Sequence, residues 1–313
     1  MIKDVKAPSI STTLVALDQH FYDMVRLYEK GVFPKVLLLN GKKGIGKFTL
    51  VFHFLNYIYS KKEQTSYSYK EKLIDINSYF YNSILNKTCL DVLFIQAEEG
   101  KHIKIDDIRK LKAILSKSSL SDKPRFIIID EVEFFNINSV NALLKTLEEP
   151  GQNNYFILIN NQQANLIETI SSRCLKNNIF LSTLQRNKII DYIAVNQNIN
   201  FIIDNVEHLT PGLALIYNEL FNKHKINNDE NIYFKLSKLL HAYKKDKNKD
   251  LIGMSIFFID QFFYRLVNEN VNKIDFLLNL KSIILNKIND FIVYNLNINS
   301  VLLSIELKLK NAK

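Results

Sequence analysis

Residues 127–150 read Ile-Ile-Ile-Asp-Glu-Val-Glu-Phe-Phe-Asn-Ile-Asn-Ser-Val-Asn-Ala-Leu-Leu-Lys-Thr-Leu-Glu-Glu-Pro. An apolar strand ends in two adjacent carboxylates, Asp130 and Glu131. Val140, Leu143, Leu144 and Leu147 then recur at i, i+3, i+4 and i+7, the spacing of one apolar helical stripe. Asn138 or Ser139 can cap that helix, and Pro150 stops it. In α/β ATPases a carboxylate pair placed at a strand end positions Mg²⁺ and the attacking water.

The same alternation runs through the first 182 residues. Pro34–Asn40 is a short apolar run suited to a buried parallel strand. Phe48–Tyr59 is apolar nearly all round, as a core helix is, and Ile105–Leu115 is amphipathic. Asp91–Gln96, Arg125–Ile129 and Tyr155–Ile159 read as three further strands. Strands separated by helices predict an α/β fold with a parallel, doubly wound sheet. Residues 60–88 are polar and rich in Lys, Ser, Tyr and Asn, with a helix expected only near 70–86. Beyond residue 182 the strand signals fade. The pattern becomes helical, with Asn/Lys-rich joints at 196–200, 222–231 and 243–250.

Between the first strand and the core helix lies Gly41-Lys42-Lys43-Gly44-Ile45-Gly46-Lys47-Phe48-Thr49. It fits G-x₄-G-K, in which glycines let backbone N–H groups cradle phosphate and the lysine reaches the β/γ-phosphates. The Ser or Thr that normally gives its hydroxyl to Mg²⁺ is replaced by Phe48. Thr49 comes one residue late, about 100° further round the helix. The spacing therefore predicts a P-loop fold with impaired Mg²⁺-dependent chemistry.

With 313 residues the chain can hold two or three domains, and its apolar share of 47% is ordinary for a globular protein. Met1–Asp18 mixes charge, Pro and Ser/Thr and does not look like a secretory leader. The most apolar late stretch, Met254–Phe263, is interrupted by Asp260 and Gln261 and is short for a bilayer span. A cytoplasmic protein without membrane partners is expected. Cys89 and Cys174 cannot make a four-thiolate zinc site, and no metal site is expected. The net charge of +9 is carried by Lys, with only six Arg in the chain. An AT-rich genome explains that bias more simply than a dedicated nucleic-acid surface, although a positive field would aid encounters with DNA. Where an Arg survives in such a composition, guanidinium geometry is the reason to look for.

Asp130-Glu131, then Asn141-Ala-Leu-Leu-Lys-Thr-Leu-Glu-Glu-Pro150, then Ser171-Ser-Arg-Cys174 together resemble the AAA+ clamp-loader subunits of bacterial DNA polymerase III. Ile103-Lys-Ile-Asp-Asp-Ile-Arg109 is similar to the run that precedes that family's nucleotide-facing strand. The likeness covers residues 15 to about 215. It implies an AAA+ P-loop α/β domain over 1–182, a helical lid over 183–240 and an all-α collar domain over 241–313. Within the family, motor subunits (gamma/tau) hydrolyse ATP. They carry a complete P-loop hydroxyl, a zinc-binding cysteine set and a lid arginine. The delta-prime subunit is a stator that often has no working ATP site. Phe48, the lack of a cysteine cluster between 59 and 90, and Leu213 at the expected lid-arginine position all resemble the stator.

The resemblance implies that Arg173, the Arg of Ser-Arg-Cys, reaches across a subunit boundary into a neighbour's ATP site. Gly41, Gly44, Gly46, Lys47, Thr49, Asp130, Glu131 and Asn161 would line a degenerate nucleotide site, empty or holding ATP or ADP without turnover. Asn161 or Asn160 stands where the family senses the γ-phosphate, but Asn also ends strands for ordinary turn reasons. The implied partners are gamma/tau- and delta-type subunits, the sliding clamp and primed DNA. One rival reading is an active AAA+ motor ATPase; another is a pure interaction protein. Asp106, Asp107, Arg109 and Lys110 are expected on a wet helix face, Cys174 as a packed thiol, and Phe257–Tyr264 as helix core or subunit interface.

Overall fold

The computed structural model describes residues 11–96, 103–116, 123–203 and 206–312, apart from the side chains of Glu207 and Val271. Part of the Met1–Asp18 stretch lies outside those residues. Contacts divide the chain into two compact units, Met1–Phe201 with Val206–Ala214, and Ile202–Asn205 with Leu215–Lys313.

The first unit is built on five parallel strands: β1 (Val36–Asn40), β2 (Val92–Ile95), β3 (Arg125–Ile129), β4 (Asn154–Asn160) and β5 (Leu175–Asn178). Their order is β2-β3-β4-β1-β5, with Asn40 in register with both Asn160 and Asn178. The helices are α1 (Asp18–Glu29), α2 (Lys47–Ser60), α3 (Tyr79–Leu85), α4 (Ile105–Leu115), α5 (Ile137–Glu148), α6 (Glu168–Ser171) and α7 (Thr183–Asn196). The chain is a parallel-sheet α/β protein with a helical C-terminal part, as its alternation predicted.

Alternation along each strand sorts the core into two layers, because successive side chains leave opposite faces of a sheet. Leu37, Leu39, Phe126, Ile128, Ile157 and Ile159 join the layer of Phe21, Phe52 and Phe54 from α1 and α2. Val36, Leu38, Ile127, Ile129, Phe156 and Leu158 join Ile108, Leu111, Val140, Leu143 and Leu147 from α4 and α5. Each fully buried aliphatic or aromatic side chain contributes roughly 1.5–3 kcal/mol. Both faces of the central strands being covered is why they read as unbroken apolar runs.

Three details differ from the sequence reading. The cap of α5 is Asn136, whose side chain accepts from the Ser139 N–H at 2.8 Å. Ser139 is already inside the helix, its Oγ donating to the Ile103 carbonyl at 2.7 Å. Neither Asn138 nor Ser139 therefore starts it. Strand β5 was missed because Leu-Lys-Asn-Asn has no apolar pattern; it is an edge strand, largely exposed and held to β1 by backbone pairing. Within 60–88, beyond the last residue of α2, only Tyr79–Leu85 is helical. Order there comes from Glu63, whose carboxylate accepts from Ser78 Oγ (2.9 Å), Tyr79 N–H (2.8 Å) and Phe80 N–H (3.0 Å), meeting the free donors at the start of α3.

The second unit is helical: most of α8 (Pro211–Lys223), then α9 (Ile232–Asp246), α10 (Lys249–Glu269), α11 (Ile274–Tyr294) and α12 (Ile298–Ala312). α9 packs on α10, α10 on α11, and α12 on both α11 and α9. The Asn-rich joints supply caps, Asn231 accepting from Tyr233 N–H and Asn248 from Asp250 N–H. Phe257, Phe258 and Phe263 are buried in α10, while Tyr264 is exposed. Among the described residues no helix is long and apolar enough to cross a membrane.

Candidate functional site

The loop between β1 and α2 is drawn in upon itself. Lys47 is buried and its ammonium donates to the carbonyls of Gly41 (2.7 Å) and Lys42 (2.8 Å). Thr210 Oγ1 donates to the Lys43 carbonyl (2.6 Å), and the Gly212 N–H donates to the Gly44 carbonyl (2.8 Å). The carbonyls of four successive residues, 41–44, are thus each met by a donor. Gly46, at φ +94°, caps α2, and Gly44 sits at φ +81°. A side chain on Gly44 would place its Cβ 2.6 Å from Thr210 Oγ1 and 2.8 Å from the Leu213 backbone nitrogen. The first turn of α8 therefore lies on the P-loop, and Leu213 is at that junction.

Phe48 is half-buried in the first turn of α2, with its ring centroid 5.7 Å from that of Phe94 on β2. Thr49, half-buried, is the next residue along the helix. The donor set does not fit a magnesium–nucleotide complex, since an apolar ring occupies the position whose hydroxyl would reach the metal.

Beside the loop, two acids meet Asn161. Asp130 Oδ1 accepts from the Glu131 N–H (2.8 Å) and from Asn161 Nδ2 (3.0 Å). Glu133, buried, takes the Asn161 N–H on both oxygens (3.0 and 3.1 Å) and the Gln163 N–H at 3.4 Å. Glu131 turns the chain with a left-handed φ of +57°, uncommon for a non-glycine residue. Burial pushes the Asp130 carboxyl up, against the pull of its two hydrogen bonds and of Lys47. Burial lowers the Lys47 ammonium to about 8, with Asp130 and Glu133 opposing the shift. Gly41, Gly44, Gly46, Lys47, Asp130 and Asn161 are thus brought to one corner.

Glu133 was not read from the sequence, although a third acid in Asp-Glu-Val-Glu was available as a signal. Across the strand ends, Asn40 Nδ2 donates to Asn178 Oδ1 and Asn160 Nδ2 to Asn40 Oδ1, both at 2.8 Å. Asn160 belongs to this ladder and Asn161 to the acids. The four-residue cluster Asp106, Asp107, Arg109 and Lys110 lies on the solvent face of α4, paired internally.

Arg173 stands apart from the loop, just after α6. Its Nε donates to Glu148 Oε1 at 2.6 Å, and its Nη2 lies 2.6 Å from the same oxygen. Nη1 donates to the Thr169 carbonyl (2.9 Å) and makes a long contact with Ser172 Oγ (3.4 Å). The side chain keeps 32% of its surface exposed and Glu148 keeps 48%. At that exposure the pair is worth about 0.2–1 kcal/mol. Glu148 closes the Asn141–Pro150 block, so the two most specific sequence motifs touch through one ion pair. Cys174 donates from Sγ to the Ile170 carbonyl (3.1 Å), and burial pushes its thiol up to about 11, the behaviour of a packed side chain.

Comparison with known proteins follows the same residues. A DNA polymerase III subunit gamma from Buchnera aphidicola (subsp. Acyrthosiphon pisum) is 29% identical over 164 residues, covering 52% of this chain and 43% of the relative. A DNA polymerase III subunit delta' from Pseudomonas aeruginosa is 29% identical over 141 residues, covering 44% of this chain and 41% of the relative. The matched stretch thus spans less than half the length of either relative. A gamma subunit-related protein from Thermotoga maritima superposes with a TM-score of 0.49 at 20% identity, covering 94% of this chain and 99% of that one. Residues 17–182 match the family described as DNA polymerase III, delta subunit. That match takes in the P-loop, the acidic strand end and the Ser-Arg-Cys segment, and the chain belongs to this clamp-loader family.

Proposed function

We propose that this chain is the stator, or delta-prime-type, subunit of a DNA polymerase III clamp loader. It lends Arg173 to the ATP site of an adjoining motor subunit and does not turn over ATP itself. The observation that carries this reading is Phe48. Its ring packs on Phe94 where a magnesium-binding hydroxyl would be needed, and Leu213 offers no cation at the junction of α8 with the loop. The partly exposed side chain of Arg173 supports the other half of the reading. A guanidinium directed at a neighbour's triphosphate balances charge that develops on the transferred phosphoryl group.

The partners that follow are gamma/tau- and delta-type subunits, with the sliding clamp and primed DNA engaged by the assembled ring. The division into a P-loop domain to residue 182, a lid to 240 and a collar beyond is part of the same proposal. Two measurements test it. The purified chain with ATP and Mg²⁺ should show no turnover above background, and turnover typical of a P-loop ATPase would overthrow the stator role in favour of the motor reading. In a reconstituted ring, Arg173→Ala should depress DNA-stimulated ATP hydrolysis while the ring still assembles. Unchanged hydrolysis would instead favour a pure interaction protein.

A further inference from the structure

The ion pair that joins the two sequence motifs suggests a role for a residue outside the P-loop and outside Ser-Arg-Cys. We infer that Glu148 is a positioning residue for Arg173, holding the guanidinium pre-ordered for a phosphate oxygen of the neighbouring subunit. This rests on the trans role proposed above.

An arginine carries five N–H donors in a planar fork, and its side chain has many rotamers to lose when it binds. Glu148 takes one edge of that fork through a single oxygen, at 2.6 Å from both Nε and Nη2. The Thr169 carbonyl holds Nη1 from the turn of α6 just before Arg173. Those contacts fix the plane of the guanidinium relative to two different helices, α5 and α6, and they leave Nη2 with a donor not claimed among the described residues. With a third of the side chain exposed, that remaining donor is open to an outside acceptor. Nearly half-exposed, Glu148 supports none of the buried core, so removing it should spare the fold.

The test uses the full chain in a reconstituted clamp-loader ring, with ATP, Mg²⁺ and primed DNA. Glu148→Ala should lower kcat by about 5- to 30-fold, the range set by restoring the rotamer freedom of one arginine, with KM for ATP little changed. Glu148→Gln keeps an acceptor oxygen and should recover part of the loss. In an Arg173→Ala background, Glu148→Ala should add nothing, since two residues acting through one group are not additive. A full kcat for Glu148→Ala beside a depressed Arg173→Ala would overturn the positioning role and leave the stator reading standing. An additive loss in the double variant would overturn it as well. If Arg173→Ala itself retains full activity, the trans role falls and the positioning role with it.

Discussion

The P-loop corner and the Arg173 corner handle positive charge in opposite ways. Lys47 is buried, two of its donors directed at carbonyls of its own loop, and its ammonium is pulled down to about 8 by loss of water. Arg173 is paired with Glu148 and keeps about a third of its side chain in solvent. A cation that must act on a substrate needs a free donor and an open path; a cation that must hold a loop needs neither. The contrast teaches that, within one α/β unit, one cation is spent on holding its own loop while the other stays accessible, as the trans role proposed for Arg173 requires. Four successive loop carbonyls satisfied by Lys47, Thr210 and Gly212 make the loop a clasp for the first turn of α8.

Breaking the outward cation should have the largest effect. Arg173→Ala is expected to cost about 10³-fold or more in hydrolysis at the site it faces, the scale of arginine fingers in general. Single-turnover kinetics in the ring measure it, and a loss under tenfold would place Arg173 among ordinary surface residues. Breaking the clasp comes next. Gly44→Ala puts a methyl group against Thr210 Oγ1 and the Leu213 nitrogen from a left-handed backbone, and should destabilise the chain by about 1–3 kcal/mol in urea unfolding. An unchanged midpoint would mean that the loop and the start of α8 can part at no cost.

A smaller effect sharpens the difference in charge. The folded Lys47 releases its proton near pH 8, whereas the unfolded chain holds it to the ordinary lysine value. Between those values the unfolded state binds more protons, so stability rises with pH, by up to about 1.4 kcal/mol per unit. Relative to Lys47→Met, wild type should gain stability from pH 8 to pH 10, and parallel curves would show that the amine is not desolvated. Phe48→Ser should change turnover least of all. It restores a hydroxyl but leaves Leu213 in place, so calorimetry is expected to detect Mg²⁺–nucleotide binding at most. Rapid hydrolysis by that variant would show that the lid position carries little weight.

The sheet was legible because its central strands are covered on both faces; Ile127–Ile129 and Phe156–Ile159 could hardly read as anything else. The edge strand β5 was illegible for the converse reason, since Leu175–Asn178 buries little and pairs through its backbone. Of the candidate site, the loop residues and Asp130 could be singled out from spacing, and Arg173 only through the family resemblance of its Ser-Arg-Cys turn. Glu133 and Glu148 could not, because each matters through a partner about 25 to 30 residues away, Asn161 and Arg173, and spacing carries no information about that. The shift of the α5 cap to Asn136 has a similar origin. Ser139 was a sound cap by type, but a tertiary bond to Ile103 claimed its hydroxyl.

The Glu63 carboxylate that gathers Ser78, Tyr79 and Phe80 has a consequence of its own. A polar surface excursion with little apolar core of its own is fastened here by one acid and a helix start. Three donors converge on that single carboxylate, so Glu63→Ala should loosen the segment around Ser78–Phe80 as a unit, read as faster local proteolysis.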